Sequence, residues 1–375
     1  MEALPAGIIG CGNISDTYLS RARDFAAIEV VACADLDAAL ARAQAEKYRV
    51  RALAPDELLA DGSIELVINL TPPLVHARVS STALAAGKHV YSEKPLGVTL
   101  AEARELAAQA AASGRRLGCA PDTFLGGGHQ LARELLDQGA IGRPIAGSAR
   151  VMTRGMEAWH PNPDFFFKRG GGPVLDVGPY YVTALANLLG PVEAVAAMAG
   201  RGFEERVVGS AARRGERIAV EVATHVEGVL RFVSGALVSF TATWDVHPVE
   251  RYRLELFGSE GTMRMPDPNF FGGEVLVSQD GLEWASHDSS ERPYAKPNRE
   301  LRSGAKVADY RIIGVVDMAE AIRESRPQRA PEGLALHVLE VLEGLGRAAL
   351  ERQEVAIESR CERPAPLRQA FAAAG

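Results

Sequence analysis

Through roughly the first third of the chain, apolar residues come in short β-branched runs separated by alanine-rich stretches whose apolar positions recur at helical spacing. The runs predict strands at Ala6–Ile9, Ile28–Ala34, Leu66–Leu70 and His89–Ser92, with another near Arg116–Ala120. Strands alternating with amphipathic helices predict a parallel sheet wrapped on both faces, the α/β class. Behind Gly170-Gly171-Gly172 a helical stripe begins with Val177, Tyr180, Tyr181, Ala184, Leu185 and Leu188. Beyond Pro191 the period changes to two. Val192–Met198, Ala219–Val233, Ala236–Trp244 and Tyr252–Phe257 read as sheet, with turns at Ser234-Gly235 and Gly258–Thr262. Residues 286–304 are polar and predict a surface loop. Helices return at Val307–Glu324 and Glu332–Glu351, the second carrying Leu334, Val338, Val341, Leu342 and Leu345, with His337 as a core histidine. The reading divides the chain into residues 1–121 and 122–375, with the last helices packing back toward the first domain.

Composition narrows the classes. With 375 residues, 47% hydrophobic and 24% charged, the chain suits two globular domains. A formal charge of −7 with no basic run longer than a pair argues against a nucleic-acid partner. No apolar run is long enough to suggest a membrane span, and the start at Met1–Gly12 lacks a leader pattern, so the expected location is cytoplasmic. Cys11, Cys33, Cys119 and Cys361 are far apart and suit buried thiols; the histidines show no ligand spacing, so no metal is expected.

Candidate chemistry starts after the first strand. Gly10-Cys11-Gly12-Asn13-Ile14-Ser15 is a dinucleotide fingerprint with Ser15 in the place of the third glycine. Gly10 permits the tight turn, and Gly12 lets the backbone of Asn13 and Ile14 meet a pyrophosphate. Asp35 closes the second strand twenty residues after Ser15, where a carboxylate accepts bonds from an adenosine ribose and repels a 2′-phosphate. NAD(H) is therefore expected ahead of NADP(H) in this Rossmann-type domain. The competing reading of Asp35 is a cap on the helix starting near Asp37. Two later strand ends carry Thr71-Pro72-Pro73 with His76, and Glu93-Lys94-Pro95. The first reads as a rigid wall for the cofactor, or His76 as a helix surface residue. The second reads as a lysine held where a nicotinamide lies, or as a solvated charge pair.

Asp176 and Tyr180 fall four residues apart, which on one helical turn would place a carboxylate and a phenol on one face. They would hold a polyhydroxy ligand; the plain alternative is a helix-terminal charge and a half-buried ring. Trp159–Arg169, dense in rings and prolines, reads as a pocket rim containing His160 as a second acid/base candidate; Lys168 and Arg169 read as solvated. Asp122 either reaches substrate or caps the helix of Leu131, Leu135 and Leu136.

Taken together, Gly10–Ile14, Thr71-Pro72-Pro73 with His76, Gly87-Lys88-His89-Val90 leading into Glu93-Lys94-Pro95, and the triple glycine with Asp176 resemble the Gfo/Idh/MocA family of glucose-fructose oxidoreductases and inositol dehydrogenases. The resemblance implies an N-terminal Rossmann domain and a C-terminal α+β domain with a large open, mostly antiparallel sheet. It implies that Lys94 is catalytic, that Asp176 binds substrate, and that copies pair sheet to sheet as homodimers or homotetramers. Many members have a histidine where this chain has Tyr180. That departure resembles the branch in which a tyrosine takes the acid/base role, with glucose-fructose oxidoreductase and dimeric dihydrodiol dehydrogenase, and it puts an inositol assignment in doubt.

Oxidising a secondary alcohol removes a hydride from carbon while a base takes the hydroxyl proton. A lysine ammonium beside a phenol stabilises the phenolate, so Lys94 and Tyr180 are expected to act as a coupled pair, with Asp176 orienting hydroxyls. The function expected is an NAD(H)-dependent oxidoreductase of a sugar, sugar derivative or cyclic diol. The alternatives are a non-catalytic dinucleotide- and sugar-binding sensor, or an NADPH-dependent aldose or dihydrodiol oxidoreductase.

Overall fold

The computed structural model describes residues 2–247, 253–301 and 303–374. It forms two compact units. One comprises residues 1–125, 310–336 and 364–375, the other residues 126–309 and 337–363. The division differs from the sequence-based boundary after residue 121, because two late segments belong to the first unit.

In the first unit six parallel strands run in the order Arg51–Leu53, Ile28–Ala34, Leu4–Ile9, Leu66–Asn69, His89–Ser92 and Leu117–Cys119. This is the doubly wound order, whose direction reverses beside the first strand. Central strands are buried on both faces, as Ile8, Val67, Ile68 and Val90 show, which is why they read as continuous apolar runs. Arg51–Leu53 escaped the sequence reading because it is a three-residue edge strand with no apolar run. Near the end of the chain Phe371 packs edge to face on Phe25, and the Ala26 N–H donates to the Ala372 carbonyl at 3.0 Å.

The second unit is built on nine strands in the order Ala285–His287, Val275–Ser278, Thr262–Met265, Leu254–Gly258, Pro144–Met152, Leu237–Thr243, His225–Phe232, Val192–Gly200 and Val355–Ala356. Every neighbouring pair is antiparallel except Pro144–Met152 with Leu237–Thr243. Period two decides the faces: Leu230, Phe232, Val238 and Phe240 are buried, while Met198, Val229, Leu237 and Phe257 stand exposed together on the other side. Leu342 and Leu345 approach Gly178 and Gly228 so closely that a side chain at either glycine would meet them.

Several sequence-based boundaries move. The expected strand Ala219–Val233 is two strands, Arg217–Ala219 and His225–Phe232, interrupted before Thr224. Helix Val307–Glu324 begins only at Ile313, whereas Glu332–Glu351 stands as expected. Ser234-Gly235 and Gly258–Thr262 are the turns expected, with the Gly258 N–H donating to the Gly261 carbonyl at 2.8 Å. Tyr252, the expected start of the strand ending at Phe257, lies outside the described residues. Within 286–304 the described residues include part of a strand and a short pairing of Arg299–Glu300 with Lys306–Val307. Among the described residues no helix is long and apolar enough to cross a membrane.

Candidate active site

In the first unit the loop after Leu4–Ile9 has the backbone its glycines require. Gly10 has φ +105°, and a Cβ there would lie 2.6 Å from the Leu70 carbonyl, so only glycine fits. At Gly12 a Cβ would meet nothing within 4 Å, which leaves the backbone open to a close ligand. The helix Ser15–Ala22 starts directly behind, with Asn13 exposed and Ile14 half-buried at its N-terminus. Ser15 is buried and donates its hydroxyl to the Gly12 carbonyl at 2.6 Å, so the serine in the third glycine's place is satisfied within the loop itself.

Asp35 ties this loop to the second strand. Its Oδ2 accepts the Cys11 N–H at 2.7 Å and its Oδ1 the Asp37 N–H at 2.9 Å. The helix cap is Asp37, which accepts the Ala39 N–H; the capping alternative for Asp35 is thereby settled. A carboxylate fixed at the glycine loop, an open Gly12 and a helix N-terminus fit the ribose and pyrophosphate of a dinucleotide.

The next two loops are joined through His76. Thr71 is anchored by buried Asn69, whose Oδ1 accepts the Thr71 hydroxyl at 2.6 Å; Pro72 is exposed. His76 is neither a surface residue nor open to a ligand. Its Nδ1 lies 2.7 Å from the Pro95 carbonyl oxygen and its Nε2 2.6 Å from that of Thr71, and the ring is buried. Burial holds its pKa below the ordinary histidine value, against the two carbonyls and Glu93, which favour its charge. The expected cofactor contact at His76 is thus replaced by a bracket between the two loops. Glu93 accepts the Tyr18 hydroxyl at 2.9 Å and the Lys94 N–H at 3.0 Å, and Lys94 is half-buried beside the cis Lys94–Pro95 bond.

Asp122 does not cap the helix Gly127–Asp137. It is buried, and its Oδ2 accepts the N–H groups of Ile312 and Gly314 at 3.0 and 2.9 Å, holding the start of helix Ile313–Glu324. Burial pushes its carboxyl up to about 6, against those two hydrogen bonds. The sequence separation of about 190 residues left no signal for this pairing.

In the second unit the triple glycine is demanded by geometry. Gly170 and Gly172 have φ of +85° and +90°, and a Cβ on Gly171 would lie 2.4 Å from the carbonyl oxygens of Phe165 and Phe166. The helix behind is not continuous. A single turn, Pro173–Asp176, ends at Val177, and Gly178–Leu189 starts afresh with the Tyr180 N–H donating to the Val177 carbonyl at 3.1 Å. Asp176 and Tyr180 therefore do not share one helical turn, a correction that follows from Pro179 at the new helix's first turn, which has no N–H to continue the ladder. Both side chains are half-buried.

His160 sits among rings: its centroid is 5.5 Å from Trp159, 5.6 Å from Phe165 and 5.1 Å from Phe166, all edge to face. Its Nδ1 accepts the Asn162 N–H at 3.1 Å. Burial lowers its pKa, while Asp176 is close enough to favour its charged form. Lys168 stands at the surface as expected, in an exposed ion pair with Glu221 at 2.6 Å. The sequence reading missed Arg206, which lies buried beneath this rim and bonds Glu157 at 2.8 Å and Asp245 at 3.0 Å. An arginine in a polar-looking stretch carries no mark that it will be buried. Among the described residues no group of three potential ligands could hold a metal ion.

Comparison with known proteins defines the class first. Residues 4–120 match the oxidoreductase family with an NAD-binding Rossmann fold, and residues 129–264 match the GFO/IDH/MocA C-terminal domain. The chain carries an NAD-binding Rossmann domain and is an NAD(P)-dependent oxidoreductase. It belongs to the Gfo/Idh/MocA family. It is 28% identical over 272 residues to 1,5-anhydro-D-fructose reductase of Ensifer adhaerens, spanning 68% of this chain and 74% of that enzyme. With dTDP-3,4-didehydro-2,6-dideoxy-alpha-D-glucose 3-reductase of Saccharopolyspora spinosa it shares 27% over 324 residues, 82% of this chain and 90% of the relative. Inositol 2-dehydrogenase of Salmonella typhimurium is 34% identical over 149 residues, 38% and 44% of the two chains. In fold the chain is similar to levoglucosan dehydrogenase in complex with NADH and L-sorbose, with a TM-score of 0.80, 21% identity and coverage of 96% and 100%.

Proposed function

We propose that this chain moves a hydride between NAD(H) and a secondary or anomeric carbon of a sugar, sugar derivative or cyclic diol. The observation that carries the reading is Asp176, half-buried behind glycines that lie against the Phe165 and Phe166 carbonyls of the aromatic segment, in a chain whose other unit binds NAD. The names of the relatives, a reductase of an anhydro sugar, a reductase of a nucleotide-linked sugar and a dehydrogenase of inositol, support the same substrate class.

Bound nicotinamide supplies the hydride acceptor or donor. Asp176 orients hydroxyl groups by accepting charge-assisted hydrogen bonds from them. Tyr180 takes the hydroxyl proton as the C–H bond breaks, and the Lys94 ammonium stabilises the phenolate; in the reverse direction the phenol returns that proton to the carbonyl oxygen. His160, beside Asp176, is the second acid/base. Asp35 favours NAD(H) over NADP(H), because a fixed carboxylate repels a 2′-phosphate. Exposed Met198, Val229, Leu237 and Phe257 on one face of the large sheet support pairing of copies there, as dimers or tetramers.

The test is a screen of sugars, inositols and cyclic diols for a change in nicotinamide absorbance. Turnover of one substrate group is the expected result. Tight NADH binding without any turnover favours the non-catalytic sensor instead, and light scattering of the purified protein decides its oligomeric state.

A further inference from the structure

Two large rings stand in solvent on the rim of the second unit. Trp159 is 47% exposed and Phe165 46% exposed, both pack edge to face on His160, and the Phe165 carbonyl lies against Gly171 of the loop that leads into Asp176. Exposed rings at a loop tip are ordinarily mobile, but these are mounted on a fixed base. The Trp159 and His160 N–H groups both donate to the Met156 carbonyl, and Phe165 stacks on Phe166 at 4.0 Å. Phe166 and Phe167 are buried against Trp244 with Val208, Ile218 and Val220. Arg213 pairs with Asp164, and Lys168 with Glu221, at either end of the short turn Asp164–Phe167. Arg206, held by Glu157 and Asp245, fixes the strand behind.

The charges around the rings select the kind of ligand. Lys168, Arg206 and Arg213 are each matched by carboxylates, while Arg169 is exposed at the end of the same segment. A diphosphate would have to compete with those carboxylates for the three paired cations. An uncharged ring, apolar on its faces and polar on its edge, meets no such penalty.

We propose that Trp159 and Phe165 form a subsite for the aglycone ring of a neutral glycoside whose sugar is bound at Asp176. The proposal rests on the sugar-oxidoreductase reading above and names the substrate class: glycosides carrying an aryl group or a second pyranose, in preference to free monosaccharides and nucleotide-linked sugars.

The test uses the full chain with NADH bound. Isothermal titration compares methyl with phenyl glycosides of the same sugars, together with cellobiose and UDP-glucose. The phenyl glycoside binds roughly tenfold more tightly than its methyl counterpart, as stacking on an aromatic ring provides. Trp159→Ala and Phe165→Ala each erase most of that difference while leaving NADH and methyl-glycoside affinity unchanged; the unchanged affinities also show that the variants fold. Equal affinity for methyl and phenyl glycosides, or tighter binding of UDP-glucose, overturns the subsite. So does a preference for phenyl that survives both substitutions. If methyl glycosides bind, and are oxidised once NAD+ replaces NADH, without a phenyl preference, the subsite alone fails. If NADH binds but no sugar binds or turns over, the parent reading fails with it.

Discussion

The carboxylate of Asp35 accepts the backbone N–H of Cys11 at 2.7 Å, so the acid at the end of the second strand and the glycine loop after the first are one rigid element. Replacing Asp35 by Ser removes both the proposed ribose acceptor and the loop's tether. A hydrogen bond to a charged group contributes about 1.5–3 kcal/mol, so NADH affinity falls roughly tenfold to a hundredfold. Fluorescence titration with NADH and NADPH checks this. The native protein prefers NADH, and the variant loses most of that preference.

His76 brackets the Thr71 and Pro95 carbonyls from a buried position. His76→Ala leaves a cavity and deprives one of the two carbonyls of the ring N–H it accepts, at a cost of roughly 2–4 kcal/mol. Urea unfolding reads that loss, and NADH affinity drops as well because both loops lose their anchor. A variant with unchanged stability would show that the bracket contributes nothing.

Asp122 gives stability a definite pH slope. Its carboxyl is raised from near 3.8 to about 6 by burial, so the folded state holds a proton that the unfolded chain releases. The contribution from Asp122 is full below about pH 3.8 and is lost as pH rises through about 6. His89 and His337, both lowered to about 4 by burial, slope the other way, losing stability as pH falls below 6.5. Asp122→Asn keeps an acceptor for Ile312 and Gly314 but cannot ionise. The difference in urea midpoint between variant and native protein should therefore favour the variant increasingly from pH 4 to 7. A constant difference would contradict the assignment.

Gly171 lies too close to the Phe165 and Phe166 carbonyls for any side chain. Gly171→Ala must push Asp176 and the aromatic rim apart, lowering kcat/KM by roughly two orders of magnitude, as displacement of about 1 Å at a reacting centre does. NADH affinity stays unchanged, because the Gly10 loop and Asp35 belong to the other unit.

What the sequence disclosed, and what it hid, follows from the range of each interaction. Gly10, Asp35, the Ser234-Gly235 turn and the triple glycine are demanded by backbone geometry within a few residues, so they are visible locally. The central strand Pro144–Met152 was not foreseen: Ala146, Gly147, Ser148 and Ala149 are small residues that fit between neighbours, and a Cβ on Gly147 would lie 2.8 Å from the Glu255 carbonyl oxygen. The break at Val177 was hidden because the apolar stripe runs on across it. Asp122 and Arg206 found partners far along the chain, where polarity says only that a partner must exist.

Lys94 is proposed to stabilise the Tyr180 phenolate during hydride transfer beside the bound nicotinamide. The most direct test is Lys94→Met, with turnover of the best substrate and NADH binding measured on the same preparation. Turnover falls by at least about a thousandfold, the loss expected for a proton-handling group, with NADH affinity within about threefold of the native protein. Turnover that survives the substitution would remove Lys94 from the chemistry.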